Sequence, residues 1–405
     1  MSNYFKQLNF VQEGYLFMLS VLLISFAYPS PPITSVAYIS LAFFSFLTIF
    51  KQGISKHKTS SLIFYASIVF ILLNFLTQYL TEANLSSTRL WKLQSFALVF
   101  LAIYLGPTIT KQVLKRLKIY FIVSVVVCSL IGLIKVLLLY KAGVVSSFSY
   151  INYAVELGVL TTYFAILVCL AVAFLIEYLI KTKITSYNIV GGVSLIFLLF
   201  VLSLLSVRMA WLTILFVGGF QVIRFRLRLK KILILIGTVL LVLVVSFFAT
   251  QQSVLQRISE TTEQRDDIAI SDAENRLTLW QCGGEQYQEN ASLFFGIGHE
   301  KYQEYLNECY QEKQLLHAFD KSYNVHNQYI QSLLNTGLLG FVVFVFFLLY
   351  SLVKSLQYRV YDLSIILISF ALFFITESFF EKTLGIIMYA TFLGVYWNRI
   401  AQKKS

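Results

Sequence analysis

The sequence predicts an all-α polytopic membrane protein with about twelve transmembrane helices. Three observations predict this fold class. The 405-residue chain is 58% hydrophobic and only 13% charged, whereas soluble domains carry about 25% charged residues. Apolar runs long enough to cross roughly 30 Å of hydrocarbon recur along the chain. These runs are continuous rather than alternating, which favours helices over the strands of a membrane barrel.

The chain divides into three parts. Residues 1–249 hold nine apolar runs, residues 250–325 form a long hydrophilic loop, and residues 326–405 hold the last three runs and a short tail. The predicted spans are residues 15–29, 33–50, 61–80, 91–106, 119–140, 153–180, 188–206, 208–223, 232–249, 328–353, 360–378 and 383–398.

The positions of Lys and Arg predict which side of the membrane each connection faces. Short cytoplasmic connections carry an excess of these residues, and here the excess falls on alternate connections, beginning with the N-terminus. Both termini are therefore predicted in the cytoplasm and the long loop outside. The loop holds 13 of the 20 acidic residues and 6 of the 32 basic ones, so its formal charge is −7 and that of the remainder is +19. We expect contact with anionic membrane lipids and no binding to nucleic acid.

The long loop is predicted to contain two amphipathic helices. The first covers residues 275–290, where Asn275 is a suitable N-cap and Leu277 and Trp280 would share an apolar face. The second follows the turn "SLFFGIG" (292–298) and repeats aromatic and aliphatic residues at helical spacing. We expect that second apolar face to pack against the membrane helices.

Cysteine positions bear on the loop and on metal binding. Cys282 and Cys309 lie one in each predicted loop helix, where an oxidising compartment permits a disulfide without requiring one. No Cys-x-x-Cys or His-Glu-x-x-His spacing occurs in the sequence. No metal site and no cofactor are therefore expected.

Polar chemistry gathers where the loop meets the tenth span. His326 and Asn327 come directly before the apolar residues of that span. A helix N-terminus there offers free N–H groups that favour an anion. A histidine in this place can act as a general base, or it can be an interfacial residue beside a capping asparagine. Both interpretations stay open from the residues alone.

Two arginines and a glutamate are predicted on the same side of the membrane. Arg208 lies between the seventh and eighth spans, Arg276 in the first loop helix, and Glu377 at the end of the eleventh span. Because an arginine within hydrocarbon costs about 3 kcal/mol, Arg208 either faces a polar cavity or extends to the lipid headgroups. Glu377 is either an ion-pair partner or a solvated loop residue. Together with His326, the arginines would make an anion site with a base beside it.

Four motifs resemble, in this order, those of the O-antigen ligase and O-antigen polymerase superfamily. They are "LSVRMAWL" (205–212), "ENRLTLW" (274–280) followed by "SLFFGIGHEKYQEY" (292–305), "VHNQYIQSLLNTGLLG" (325–340), and "ESFFEKTLGIIMYATFLGVY" (377–396). Ser292 stands where the turn of the family begins with proline. The resemblance covers roughly residues 200–396, and the first half of the chain matches only as a bundle of spans.

The resemblance implies a membrane glycosyltransferase of lipopolysaccharide biosynthesis, acting on the periplasmic face of the bacterial inner membrane. Its donor is a glycan on undecaprenyl pyrophosphate. Carried over to this chain, Arg208 and Arg276 bind the pyrophosphate and His326 activates the acceptor hydroxyl, with Asn327 and Glu377 in supporting positions. Guanidinium groups suit phosphate because they bind it through two parallel hydrogen bonds and stay charged. No Asp-x-Asp pair occurs, and the transfer would be metal-independent and inverting.

Three functions stay open from the sequence. The well-formed His-Asn helix entry and closing Glu-Ser segment favour a ligase, which passes the glycan to a sugar hydroxyl of lipid A–core. A polymerase would pass it to another lipid-linked repeat. A polysaccharide or lipid transporter also suits twelve spans and the charge of Lys135 within the fifth. That class predicts an internal repeat and helices broken near the bilayer midplane, and no repeat is found.

Overall fold

A computed structural model of the chain describes residues 2–28, 30–53, 56–83, 85–143, 158–182, 186–226, 237 and 272–403. Within these residues the regular structure is helical, and the one β-bridge joins Ser292 to Gly296. The predicted all-α class is confirmed. Apart from residue 237, the predicted ninth span lies outside the described residues, as does the first part of the predicted loop, 250–271.

Most helices coincide with predicted spans. In chain order they are α1 (Ser2–Ala27), α2 (Pro31–Gln52), α3 (Lys56–Thr59), α4 (Leu62–Glu82), α5 (Thr88–Leu105), α6 (Lys111–Lys141), α7 (Thr161–Lys181), α8 (Ser186–Leu205), α9 (Arg208–Phe225), α10 (Asp272–Asn290), α11 (Tyr302–Glu312), α12 (Leu316–Asp320), α13 (Gln328–Gln357), α14 (Tyr361–Phe373) and α15 (Thr383–Gln402), with a 3-10 turn at Phe379–Glu381. Eight of the described helices are long and apolar enough to cross a membrane: α1, α2, α4, α6, α7, α8, α9 and α13. Helices α5, α14 and α15 coincide with three more of the predicted spans. The protein is therefore a polytopic membrane protein.

Helices α5 and α15 form the centre of the bundle. Phe96 and Phe100 of α5 pack with Tyr389 of α15 and Phe347 of α13, and all four rings are buried. Asn398 of α15 closes the end of α5, because its amide nitrogen lies 3.1–3.2 Å from four carbonyl oxygens there. Helix ends leave carbonyl groups without partners, and hydrocarbon offers no water to satisfy them. Asn398 therefore fixes α15 to the end of α5.

Five charged side chains join four helices at one end of the bundle. Lys118 Nζ of α6 lies 3.0 Å from Glu177 Oε2 of α7 and 2.9 Å from Asp362 Oδ2 of α14. Arg224 Nη2 of α9 lies 3.1 Å from Glu177 Oε1, and Lys181 also pairs with Glu177. Charges removed from water need partners of opposite sign. The cluster therefore sets the positions of these four helix ends relative to one another.

The described part of the predicted loop folds as a small helical unit with its own hydrophobic core, at the opposite end of the bundle. Helix α10 begins at Asp272, before the predicted N-cap Asn275. Its buried side chains include Leu279 and Cys282, whereas Leu277 is exposed. The predicted apolar face of this helix is wrong, because Cys282 is bonded into the core and turns a different side of the helix inward.

Helix α13 is broken at Gly337, where φ is 61° and ψ is −163°. This region of backbone conformation is open almost only to glycine. The turn at 292–297 fills the break, and Gly296 lies so close to Gly337 that a Cβ on Gly296 would be 2.6 Å from Gly337 N. Three backbone hydrogen bonds join the turn to the helix: Leu338 N to Leu293 O (2.9 Å), Leu339 N to Phe294 O (3.2 Å) and Ile297 N to Leu334 O (2.7 Å).

Helices broken near the bilayer midplane are typical of transporters. In this chain the break lies nine residues after the start of α13, and backbone groups of the turn satisfy the N–H groups that it frees. Non-helical backbone at membrane depth is stable where protein groups satisfy it. The break is therefore explained as the place where the loop turn docks.

Candidate active site

Asn327 is the N-cap of helix α13. Its Oδ1 accepts hydrogen bonds from Tyr329 N at 2.9 Å and Ile330 N at 3.1 Å, two groups that have no partner within the helix. Its own backbone N donates to Ser378 Oγ at 3.0 Å. Asn327 therefore starts the helix and fastens it to the segment that follows α14.

His326 precedes the cap in a left-handed backbone conformation, with φ of 47°. Residues other than glycine rarely adopt it, and here His326 N donates to Asn324 Oδ1 at 2.8 Å. The half-buried imidazole contacts the edge of Tyr323 and faces Glu377, with Nδ1 3.3 Å from Glu377 Oε1. The pair is an electrostatic contact, because Nδ1 forms no hydrogen bond within the part of the chain described.

Gln328 ties the start of α13 to the segment that carries Glu377. Gln328 N donates to Phe374 O at 2.8 Å, and Gln328 Oε1 accepts from Phe380 N at 2.7 Å. Each residue of the His-Asn-Gln sequence thus makes one kind of contact with this segment. His326 faces its carboxylate, Asn327 bonds to its hydroxyl group, and Gln328 bonds to its backbone.

Arg276 lies on the face of α10 that packs against the start of α13. Gly283 marks that contact, because a Cβ on it would be 2.8 Å from Val325 Cγ1 and 2.9 Å from Ile330 Cγ2. Arg276 is seven residues before Gly283, close to two helical turns, so the two share a face and lie about 10 Å apart along the axis. Arg276 is half-buried and forms no hydrogen bond or ion pair with another described residue.

Arg208 is the first residue of α9, and its side chain is exposed. Helix α9 packs against α14, and Arg224 near its end lies 3.8 Å from Asp362 at the start of α14. Arg208 is sixteen residues before Arg224, about 24 Å along the axis, and α14 runs from Asp362 towards Glu377. Arg208 and Glu377 therefore lie at the same end of the bundle. Among the described residues, Arg208 has no polar partner.

The structure brings three of the five predicted site residues together. His326, Asn327 and Glu377 form one cluster, and the two arginines lie at the same end of the bundle without contacting His326 in the described part of the chain. Because Nδ1 of His326 faces a carboxylate, Nε2 is the atom left to exchange a proton with a substrate. Chemically, the arrangement is a base with a carboxylate beside its Nδ1 and two cations at the same end of the bundle.

Cys282 and Cys309 form a disulfide that joins α10 to α11, with Cα atoms 5.8 Å apart. The bond fixes the helix that carries Arg276 to the second loop helix. Glu285 lies beside the two sulfur atoms, and these three residues are the group of described side chains spaced closely enough to hold a metal ion. Sulfur in a disulfide is not a thiolate ligand, so the group does not suit a metal in this form.

Sequence reasoning missed two carboxylates that fasten the loop to the bundle. Glu82 Oε1, at the end of α4, accepts from Glu300 N at 2.8 Å and Lys301 N at 3.2 Å. Glu381 Oε2 accepts from Tyr302 Oη at 2.8 Å, and burial followed by the charge of Glu381 raises the pKa of Tyr302, so its hydroxyl stays protonated. Glu381 lies within the quoted closing motif, whereas Glu82 lies in the half that matched only as spans.

Residues 193–345, just over a third of the chain, match the family described as O-antigen ligase. These residues are an O-antigen ligase domain. The O-antigen ligase domain contains Arg208, Arg276, His326 and Asn327 and ends before Glu377. The match supports a membrane glycosyltransferase of the O-antigen ligase and polymerase type. None of the curated proteins matches the chain.

Proposed function

We propose that the protein is a ligase that transfers a glycan from undecaprenyl pyrophosphate to a sugar hydroxyl of lipid A–core. The observation that carries this proposal is His326, held against Glu377 at the end of the bundle where Arg208 and Arg276 also lie. The O-antigen ligase domain supports it, because both arginines and the histidine fall within the matched residues.

We place this end of the bundle in the periplasm and both termini in the cytoplasm of a bacterial inner membrane. The cluster of Lys118, Lys181 and Arg224 lies at the other end. Lys and Arg are enriched in the cytoplasmic connections of membrane proteins. The position of this cluster therefore supports an outward-facing site, with residues 250–325 as its periplasmic loop.

In the proposed reaction His326 is the general base. Its Nε2 takes the proton of the acceptor hydroxyl as the oxygen attacks the anomeric carbon of the donor sugar. The imidazolium that forms is stabilised by the carboxylate of Glu377, 3.3 Å from Nδ1. The bond from the anomeric carbon to the pyrophosphate oxygen breaks as the new bond forms on the opposite face. The configuration at that carbon is therefore inverted.

The departing pyrophosphate leaves with the electron pair of the broken bond. Guanidinium groups aimed at its oxygens stabilise the developing charge, and Arg208 and Arg276 are the residues that we assign to this role. Neither forms a hydrogen bond or ion pair with another described residue, which supports this assignment. Two permanent cations would take the place of the divalent metal that many nucleotide-sugar enzymes use.

Transfer by the purified full-length protein tests this proposal. The assay supplies a glycan on undecaprenyl pyrophosphate together with lipid A–core, with a chelator present throughout. We expect lipid A–core to receive the glycan. His326→Ala should slow transfer by about 10²–10⁴-fold, the usual contribution of a general base. Product on a second lipid-linked glycan, with none on lipid A–core, would instead identify a polymerase.

Matched variants separate the site from general damage to the protein. His317→Ala removes a histidine that is exposed and bonds to Tyr323 rather than to Glu377, and it should leave transfer near the wild-type rate. Arg116→Ala serves in the same way for Arg208→Ala and Arg276→Ala, because Arg116 is exposed on α6. The proposal is wrong if His326→Ala transfers as fast as His317→Ala, or if the chelator stops the wild-type protein.

A further inference from the structure

A polar cleft that opens to solvent lies beside the start of α13. Its walls come from α4, α5, the first half of α13, the 3-10 turn before α15 and His299, which lies three residues before α11. His326 and Glu377 do not line it, but Gln328 does, two residues after His326. Its polar lining includes the side chains of Asn74, Arg89, Lys92, His299, Asn335 and Glu381.

Two buried polar side chains in the wall of the cleft have atoms without partners. Asn74 is 2% exposed, and its amide nitrogen donates to Phe70 O at 2.6 Å while its Oδ1 has no hydrogen bond among the described residues. His299 is 1% exposed, and its Nε2 has none either. Buried polar atoms are almost always hydrogen-bonded. A ligand that donates to Asn74 Oδ1 would satisfy this requirement.

The charges around the cleft are mixed in sign. Lys92 is exposed at the rim and forms no ion pair within the described ranges. The guanidinium carbon of Arg89 lies 4.8 Å from the ring centre of Tyr302, and Arg89 Nε lies 3.9 Å from Glu300. On the other wall, the carboxylate of Glu381 accepts from Tyr302 Oη at 2.8 Å and lies 3.3 Å from Asn335 Nδ2.

These contacts distinguish a hydroxyl-rich ligand from a phosphate. A pyrophosphate diester, the form found in a lipid-linked donor, would suit Arg89 and Lys92, but it offers only acceptor atoms. It would leave Asn74 Oδ1 unpaired and bring a second anion next to Glu381. A sugar ring has hydroxyl groups that both donate and accept, and it has apolar faces. Aromatic side chains complete the wall with apolar surface: Phe70, Phe344 and Phe380.

We propose that this cleft binds a sugar ring, with hydroxyl groups donating to Asn74 Oδ1 and Glu381 and accepting from Lys92. The proposal deepens the proposed function, on which it rests for the glycan that occupies the cleft, either the donor's or the acceptor's. Gln328 lines the cleft and bonds to the backbone of Phe380, which also lines it. A ring bound here would therefore lie next to the segment that holds Glu377 and His326.

Sugar binding is tested without transfer. Purified full-length protein in detergent is mixed with free glucose, galactose, N-acetylglucosamine or lactose, and saturation-transfer NMR reports which sugars bind. Inorganic pyrophosphate is examined separately by phosphorus NMR. We expect at least one sugar to bind, and Asn74→Leu to weaken it about tenfold, the effect of losing one hydrogen bond of about 1.4 kcal/mol. Lys92→Gln, a change at an exposed residue that should not affect folding, should weaken it several-fold.

Two controls keep the result interpretable. Lys111→Gln removes an exposed lysine from the start of α6 and should bind sugar as the wild type does. His326→Ala should bind sugar normally while losing transfer. Sugar binding by a protein that transfers no lipid-linked glycan would refute the proposed function and leave the cleft proposal standing.

The proposal is overturned if no sugar binds the wild-type protein, which would leave the cleft filled by water only. It is also overturned if Lys92→Gln and Asn74→Leu both bind as tightly as the wild type, or if pyrophosphate displaces the sugar by occupying the cleft. In a transfer assay, Lys92→Gln should raise the KM of one substrate alone. A raised KM for the lipid-linked donor assigns the ring to the donor, and a raised KM for lipid A–core assigns it to the acceptor.

Discussion

Replacing Gly337 by alanine should release the loop turn from the break in α13. The new Cβ would lie 2.5 Å from Gly296 N and from Phe295 N. These are backbone atoms, which cannot rotate away as a side chain can. The contact between turn and helix must therefore open, and the break must lose the hydrogen bonds that fill it.

The magnitude follows from the bonds that are lost. Three backbone hydrogen bonds join the turn to the helix, and each contributes about 1 kcal/mol. An alanine that kept the backbone conformation of Gly337 would cost about 1–3 kcal/mol in strain, but the clash with the turn would remain. We therefore expect Gly337→Ala to lower the free energy of unfolding by about 3 kcal/mol.

Two measurements on the purified protein check this result. Thermal unfolding should show a lower midpoint, and hydrogen exchange should show lost protection at the amides of Leu338 and Leu339, whose acceptors are carbonyl groups of the turn. Gly219→Ala in α9 is the matched control, since its Cβ would meet no atom within 4 Å. That variant should be neutral or slightly stabilising. Wild-type exchange at Leu338 and Leu339 in Gly337→Ala would refute the account of the break.

Three further predictions concern single contacts. Asn327→Ala should lower the free energy of unfolding by about 1 kcal/mol, measured by thermal unfolding, because the helix loses its N-cap. Asn327→Ser, which can also cap, should recover most of this loss. An equal loss in both variants would argue against capping. Burial, and then the charge of Arg89, lower the pKa of His299 from 6.5 to about 4. Between pH 6.5 and pH 4 the unfolded chain therefore binds more protons than the folded protein does. The free energy of unfolding should fall as the pH drops through this range. The loss of stability is at most about 3 kcal/mol. His299→Asn should flatten the pH profile of unfolding. A profile unchanged by this substitution would contradict the assignment to His299. Replacing Cys282 and Cys309 by serine opens a link across 27 residues and should lower stability by about 3 kcal/mol, whereas an unchanged unfolding midpoint would show that the link adds nothing.

The sequence predicted the helices well because each apolar run must satisfy its own backbone in hydrocarbon. The second loop helix was also predicted from a local pattern. Tyr302 and Leu306 are spaced to share one helix face, and both are buried. The face of α10 was predicted wrongly. Which side of that helix turns inward depends on Cys309, which is distant in sequence and acts through the disulfide.

The candidate site shows the same division. The positions of His326 and Asn327 before an apolar run identified the start of a helix, because capping is local. The pairing of His326 with Glu377 could not be derived from spacing, since 51 residues separate Asn327 from Ser378 and the contact depends on how α13 and α14 pack. Nothing in the sequence indicated that Glu82 and Arg89 contact the loop, because their partners lie more than 200 residues away.

The sequence by itself determined the helical class, the membrane and the residue types gathered at one end of the bundle, because hydrophobic length and charge position act locally along the chain. Only the tertiary structure decided that Glu377 lies behind His326, that Gly296 fits against Gly337, and that α4 and α5 complete a polar cleft. These are contacts between segments far apart in sequence, and close packing of whole helices selects them.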